Sequence, residues 1–324
     1  MSTTGVTLEQ VAQARLRILD HVVKTPLIRS GFLSRELGTN VYLKLECWQK
    51  TGSFKPRGAF NKLLMLSPEE RARGVVAVSG GNHAQAMGYA ARELGLSAII
   101  AMPETTPANY VNATRGYGAK IAFEPNIHAA FATAHRLADE GRVLVHPFDD
   151  PAVMAGQGTL GLELLDDCPA MTHVFISIGG GGLIAGMATA IRAVKPDVRV
   201  FGVETVGADA MAQAVSAGRI VELPKITSIA RTLGAPAVSA STLSAVQRLV
   251  EEVVVVPDAA AFAGLVDLME RTKVVTEPAA ACALAAARAR ASQFRPDDHV
   301  VILLCGGNVS LSDIVRWHGE FAAK

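Results

Sequence analysis

The chain predicts an α/β protein made of two open, twisted, mainly parallel sheets, and three observations predict it. From Gly74 onward, short β-rich runs alternate with helical stretches, the order that yields parallel sheets covered by helices. Half of the residues are hydrophobic and 19% are charged, a composition that favours a packed core over disorder. The 324 residues suit two lobes or one large α/β unit.

The elements follow in order. Thr7-Leu8-Glu9-Gln10 has capping-box spacing, and Val11, Leu16 and Ile18 continue the apolar side of a first helix. Val41-Tyr42-Leu43-Lys44-Leu45-Glu46 alternates as a half-buried strand does. Pro56 then stands where a first helical residue tolerates proline. Ala59, Phe60, Leu63, Leu64 and Leu66 carry the stripe of that helix. Strands are expected over 74–78, 97–102, 120–123 and 142–145, with helices over 82–94, 107–117 and 127–140 between them. Pro147 and Pro151 bracket a turn, after which a helix to 165 precedes a strand at 173–177, a helix at 183–194 and a strand at 198–203. The stretch 218–241 is weakly patterned. A strand at 253–256, two alanine-rich helices, a strand at 299–304 and a helix from Leu311 complete the chain. The boundary residues near Gly74 and Pro147 mark residues 74–146 as a small α/β unit inserted into a larger one of 1–73 and 147–324.

Several function classes are disfavoured. A formal charge of +1 and the lack of basic runs interleaved with aromatics argue against nucleic acid as a partner. The longest apolar run, 278–287, is far too short to span a bilayer, and Met1 to Gln13 has no apolar signal core, so no membrane partner is expected. Cys47, Cys168, Cys282 and Cys305 lie far apart with no C-x-x-C pair. That argues against a structural zinc site or a disulfide framework and for a reducing, cytoplasmic setting.

Chemistry concentrates where strands hand over to helices, as ligands of open parallel sheets bind there. Ser53-Phe54-Lys55-Pro56-Arg57-Gly58 places a lysine beside an aromatic ring at such a junction. An amine nucleophile needs desolvation or a cationic neighbour, for which Arg57 is the nearest candidate. Ser177-Ile178-Gly179-Gly180-Gly181-Gly182-Leu183 lets backbone amides and a helix N-terminus approach a phosphate. The same run fits a dinucleotide fingerprint, with Glu204 as the ribose-binding acid, so a nicotinamide-dependent dehydrogenase competes on this stretch. Ser79-Gly80-Gly81-Asn82-His83 makes a carboxylate-sized loop, with Asn82 able to meet a polar ring substituent and His83 either a base or structural. Cys305-Gly306-Gly307-Asn308 offers either a buried small hydrophobe or a weak, neutral partner for a heterocycle nitrogen.

In this order and spacing the four motifs resemble the threonine/serine dehydratase and serine racemase family, pyridoxal-phosphate enzymes of the tryptophan-synthase β fold (fold type II). The resemblance runs from about Leu8 to the C-terminal helix. It implies that Lys55 carries the cofactor as a Schiff base and then serves as the base at the α-carbon. Phe54 would cover one ring face, the loop Gly179, Gly180, Gly181, Gly182 and Leu183 would hold the phosphate, and Asn82 would bond the ring 3-hydroxyl. Cys305 would sit at the pyridine nitrogen, and Glu277 joins the cofactor-binding set. Ser79, Gly80, Gly81 and His83 would hold the substrate carboxylate. The larger unit would then bind pyridoxal 5'-phosphate and the smaller close over the substrate.

The implied activity is a dehydratase or ammonia-lyase reaction, in which an L-β-hydroxy amino acid such as threonine or serine gives a 2-oxo acid and ammonia. Phenylserine, hydroxyaspartate or a hydroxyectoine catabolite remain open as substrates, and an amino-acid racemase is the alternative within the fold. Racemases of the family resemble Ser-Ser-Gly-Asn-His, whereas here the second position is Gly80, with no acid–base group for the opposite face. Relatives also hold a divalent cation, for which Glu204 and Ala208 align but the third position is Ala210, with Asp209 one residue early. No metal is expected on that ground. A homodimer or higher homo-oligomer is expected, without a C-terminal regulatory domain.

Overall fold

The computed structural model describes residues 5–321, so Met1 and Lys324, the outer limits expected for the larger unit, lie outside the described residues. The chain begins α1 (Leu8–Ile18), β1 (Leu27–Arg29), α2 (Gly31–Leu37), β2 (Asn40–Lys44), α3 (Pro56–Leu64) and α4 (Pro68–Arg73). A β/α run follows: β3 (Val75–Val78), α5 (Asn82–Glu93), β4 (Ala98–Pro103), α6 (Ala108–Gly116), β5 (Lys120–Glu124), α7 (Ile127–Asp139) and β6 (Val143–Leu144). After it come α8 (Pro151–Asp167), β7 (His173–Ser177), α9 (Gly182–Val194), β8 (Arg199–Thr205), α10 (Ala210–Ala217) and α11 (Ala240–Leu249). The chain closes with β9 (Glu252–Val256), α12 (Asp258–Asp267), α13 (Pro278–Ala289), β10 (His299–Leu303) and α14 (Leu311–Phe321). Thr7 caps α1 in a true capping box with Gln10, and Pro56 is the first residue of α3.

Two sheets form. The larger has the order β1-β2-β10-β7-β8-β9, parallel except for the short edge strand β1, and the smaller has the order β5-β4-β3-β6, parallel throughout. The period of two explains how the larger sheet is covered. Phe175, Phe201 and Ile302 face α12 and α13, while Val174, Ile176, Val301 and Leu303 face α8 and α9. In the smaller sheet Val75, Ala77 and Ile100 pack with α5 and with Ile18, Phe60 and Leu63 from α1 and α3. Val76, Val78 and Ala101 pack on α7. The smaller sheet is thus anchored by helices from outside its own stretch of chain.

Some elements differ from expectation. The strand expected through Glu46 ends at Lys44, and two single-turn 3-10 segments (Glu46–Trp48 and Lys50–Gly52) intervene before Lys55. Lys44 and Glu46 are both fully buried, so the face expected to be polar and half-exposed is turned into the protein toward Arg57 and Glu163. Helices α2, α4 and α10 and strand β1 carried too little periodicity to be foreseen, and α11 starts at the end of the weakly patterned stretch and continues into a segment for which no element was expected. None of the helices among the described residues is long and apolar enough to cross a membrane.

Candidate functional site

The carboxyl ends of β2, β10 and β7 lie side by side, because β10 pairs in parallel with both neighbours. Each is followed by one of the expected motifs. Ser53 pairs with Gly306 in an isolated antiparallel bridge beyond the strand ends, and the Phe54 N–H donates to the Cys305 carbonyl at 3.0 Å. The lysine motif and the cysteine motif are therefore locked together by backbone.

Lys55 is half-buried, with Nζ 5.2 Å from the Phe54 ring centre and donating to the Pro147 carbonyl at 2.8 Å. Desolvation lowers its pKa to about 8, against a smaller opposing pull from Cys305. Arg57 does not contribute, which corrects the expectation of a cationic neighbour. Its guanidinium is fully buried and pairs with Glu46 at 2.8 Å and Glu163 at 2.7 Å. Burial alone would depress this guanidinium, but the two carboxylates outweigh it and hold the pKa above its ordinary value. Lys44 joins the same buried cluster through Glu163 at 2.7 Å. The cluster holds the first turn of α3 directly behind Lys55.

The glycine loop lies between β7 and α9, where the strand order turns from β10 to β8, the usual crevice for a ligand in an open sheet. Gly181 has φ +94°, a left-handed conformation that favours glycine, and a Cβ on Gly180 would run into the Phe148 ring. Among the described residues, the amides of Gly179, Gly180 and Gly181 donate to no backbone carbonyl. Leu183 is buried in the first turn of α9. These unpaired amides and the positive helix end suit a phosphate. Pro147 and Phe148, absent from the expected set, lie in the connection into α8 and touch both Lys55 and the glycine loop.

Asn82, Glu277 and Asn308 converge from three separate elements. The Asn82 amide donates to Glu277 Oε1 at 2.9 Å and accepts from Asn308 Nδ2 at 2.7 Å. Thr232 Oγ1 donates to Glu277 Oε1 at 2.7 Å, the Asn308 N–H to Oε2 at 3.2 Å, and the Tyr110 hydroxyl to the Asn308 carbonyl at 2.6 Å. Burial raises the Glu277 pKa to about 7, even though three donors favour its ionised form. Cys305 is buried, which pushes its thiol well above the ordinary value, so it stays neutral. Thr232 and Tyr110 carried no sequence signal. Asn308 stood in the Cys-Gly-Gly-Asn motif but had no role assigned.

Ser79, Gly80 and Gly81 form the turn from β3 to α5, with the Gly81 N–H donating to Ser79 Oγ at 3.0 Å. His83 is buried, its Nε2 lies 3.2 Å from the Val145 carbonyl, and burial together with the Lys55 ammonium lowers its pKa to about 3. It is neutral at any ordinary pH, with Nε2 protonated and Nδ1 buried without a hydrogen-bond partner among the described residues. Glu204 is far from free. Both its oxygens accept N–H groups of α10, from Met211 at 2.9 Å and Ala212 at 2.7 Å. This removes the ribose-binding acid that the dehydrogenase reading needs, and it sets Glu204 as a helix cap where relatives were expected to place a cation.

A desolvated amine against an aromatic face, unpaired loop amides at a helix start and a buried neutral thiol, held near adjacent strand ends, fit the needs of a phosphorylated aldehyde cofactor. Residues 18–306 match the model of the family described as pyridoxal-phosphate dependent enzyme, and the chain belongs to that family. It is 42% identical over 313 residues to a Geobacter sulfurreducens protein named L-threonine ammonia-lyase, covering 95% of this chain and 76% of that one. Among solved structures, a threonine deaminase from T.th. superposes with a TM-score of 0.89 at 38% identity, over 94% of this chain and 99% of that one. Maize serine racemase superposes with a TM-score of 0.91 at 34% identity, over 98% of each chain. The fold is accordingly that of the type II pyridoxal-phosphate enzymes.

Proposed function

We propose that the protein is a pyridoxal-phosphate-dependent ammonia-lyase that converts an L-β-hydroxy amino acid, with threonine or serine the leading substrates, into a 2-oxo acid and ammonia. The observation that carries this reading is the Lys55 amine, desolvated to a pKa of about 8 between Phe54 and Pro147, in a chain so similar to an L-threonine ammonia-lyase. When bound, the cofactor supplies an electron sink for charge developing at the substrate α-carbon.

The chain's own residues divide the remaining work. Lys55 would be the attachment point for the cofactor aldehyde, and its desolvated Nζ would be the group that takes the α-proton. Amides of Gly179 to Leu183 would hold the phosphate, and Phe54 would cover one ring face. Asn82, fixed by Glu277 and Asn308, would meet the ring hydroxyl. The neutral, buried Cys305 thiol would be the partner of the ring nitrogen, and a neutral thiol would hold that nitrogen less firmly protonated than a carboxylate would. Ser79, Gly80 and Gly81 orient the substrate carboxylate, while the hydrogen bond of His83 to the Val145 carbonyl braces α5 from behind.

Residues 74–146 act as a small unit that closes over the substrate, with the remainder as the cofactor-binding unit. The four free cysteines support a reducing, cytoplasmic setting. Exposed Leu16, Leu19, Trp48 and Leu311 support a homodimer or higher homo-oligomer, which sedimentation equilibrium measures directly. The test of the activity is a screen of L-β-hydroxy amino acids for oxo-acid release by the yellow, cofactor-loaded protein. A protein that stays colourless with added pyridoxal phosphate, or releases no oxo acid from any of them, would overturn the proposal. Similarity to maize serine racemase makes chiral analysis of the recovered substrate part of the same screen. Position 80 itself offers no acid–base group, so the recovered substrate is expected to remain L, and D-isomer would point to a hydroxyl delivered over Gly80 from another element.

A further inference from the structure

The loop after β3 and the turn after β4 open on the same edge of the smaller sheet, because β3 and β4 run parallel with Val78 beside Ala101. The turn is set by the Thr106 N–H, which donates to the Pro103 carbonyl at 2.9 Å. It brings the Thr106 side chain over Gly80. A Cβ at position 80 would stand 2.6 Å from Thr106 Oγ1 and 3.6 Å from Thr106 Cβ. Thr106 is half-buried, and its hydroxyl has no hydrogen-bond partner among the described residues. It shares this edge with amides at the start of α5 that donate to no backbone carbonyl. Glycine at position 80 is what leaves room for that hydroxyl. A donor hydroxyl beside unpaired amides at a helix start recognises an anionic group.

We propose that Thr106 is a substrate-binding residue, its hydroxyl donating to the α-carboxylate of the amino acid held over Ser79, Gly80 and Gly81. This rests on the proposed function, whose site it extends by one residue from a neighbouring strand end. Residue 80 contributes space and residue 106 the polar group, so the hydroxyl is delivered across the sheet edge and not by the loop itself. Such a contact forms equally with substrate and transition state, and its loss falls on KM and not on kcat.

The test compares the cofactor-loaded wild type with Thr106→Val, Thr106→Ser, Thr106→Ala and the double variant Gly80→Ser/Thr106→Ala. KM and kcat are measured on the best substrate of the screen. Binding of L-alanine, which has no β-leaving group, is titrated through the cofactor's absorbance. Thr106→Val should raise KM and the L-alanine Kd roughly tenfold or more, the scale of a lost hydrogen bond to a charged group, with kcat changed by less than about threefold. Thr106→Ser should stay within about threefold of wild type in both constants. The double variant returns a hydroxyl to the same space from the other side, Cβ to Cβ at 3.6 Å, and should recover most of what Thr106→Ala loses. Unchanged KM and Kd in Thr106→Val would overturn the assignment. So would a Thr106→Ser variant as impaired as Thr106→Val, since that marks packing by the methyl group. A wild type that is neither yellow nor active fails earlier and takes down the functional reading and this assignment together. A wild type that is active beside an indifferent Thr106→Val removes the assignment alone.

Discussion

Replacing Glu163 by Gln should destabilise the protein severely, although Glu163 is outside the cofactor motifs. Its carboxylate accepts from Arg57 Nη1 at 2.7 Å, Arg57 Nη2 at 3.1 Å and Lys44 Nζ at 2.7 Å. Lys44, Arg57 and Glu46 are fully buried, so the cluster holds two cations against two carboxylates where water cannot screen them. Asp167, 3.5 Å from Lys44, is already engaged by Lys24. Glutamine preserves the shape but leaves a net buried positive charge and turns an N–H toward a donor. Removing one partner of a buried pair costs about 3–5 kcal/mol, a large share of a stability of about 5–15 kcal/mol. The expected fall in Tm is about 4–7 °C, read by circular dichroism on the cofactor-free protein. Because Arg57 holds the first turn of α3 two residues beyond Lys55, cofactor affinity should fall as well. The control is Asp166→Asn on the same helix, whose pair with Arg15 at 2.5 Å is exposed on both sides and should cost less than about 1 kcal/mol. A Glu163→Gln variant that melts with the control would refute the claim that the cluster is a closed, water-free ion network.

The remaining predictions concern the cofactor. Lys55→Ala should lose the yellow band, the borohydride-fixed cofactor and all turnover; retained turnover removes Lys55 as the base. Capture of pyridoxal phosphate by the cofactor-free protein should speed up as pH rises through about 8, where Lys55 gives up its proton; a flat rate between pH 7 and 9, read by stopped-flow absorbance, would contradict the desolvated amine. The stability sign follows from the same shift. Between about pH 8 and its ordinary value of 10.5 the unfolded lysine keeps a proton that the folded one has released, so this group's contribution to stability increases with pH across that window. Gly180→Ala should weaken cofactor binding roughly tenfold, since its Cβ meets the Phe148 ring and the shift passes to Pro147 and Lys55; an unchanged Kd by fluorescence titration would show that the ring yields freely.

The elements bearing chemistry were legible because each is a local pattern. A strand, a glycine-rich turn and a helix start are written in consecutive residues, and Lys55, Asn82, Gly180 and Cys305 each sit at such a handover. Apolar patterning likewise placed β3, β7 and β10, whose continuous hydrophobic runs match their nearly complete burial. It failed for short or mixed elements such as β1 and α10, where three to eight residues hold too few repeats for a face to show.

What the residues determined alone is the set of motifs, their order and the family that carries them. Tertiary structure decided how each one works. Asn82 and Glu277 are 195 positions apart and Asn82 and Asn308 are 226 apart, yet they share hydrogen bonds. Lys55 is tuned by burial against Phe54 and Pro147, while Arg57, the neighbour that sequence offered as its activator, spends its charge on Glu46 and Glu163. The hydroxyl over Gly80 comes from a different strand end. Solvent exclusion and the pairing of buried charge depend on which distant segments meet, and that is a property of the packed sheets and not of any stretch of consecutive residues.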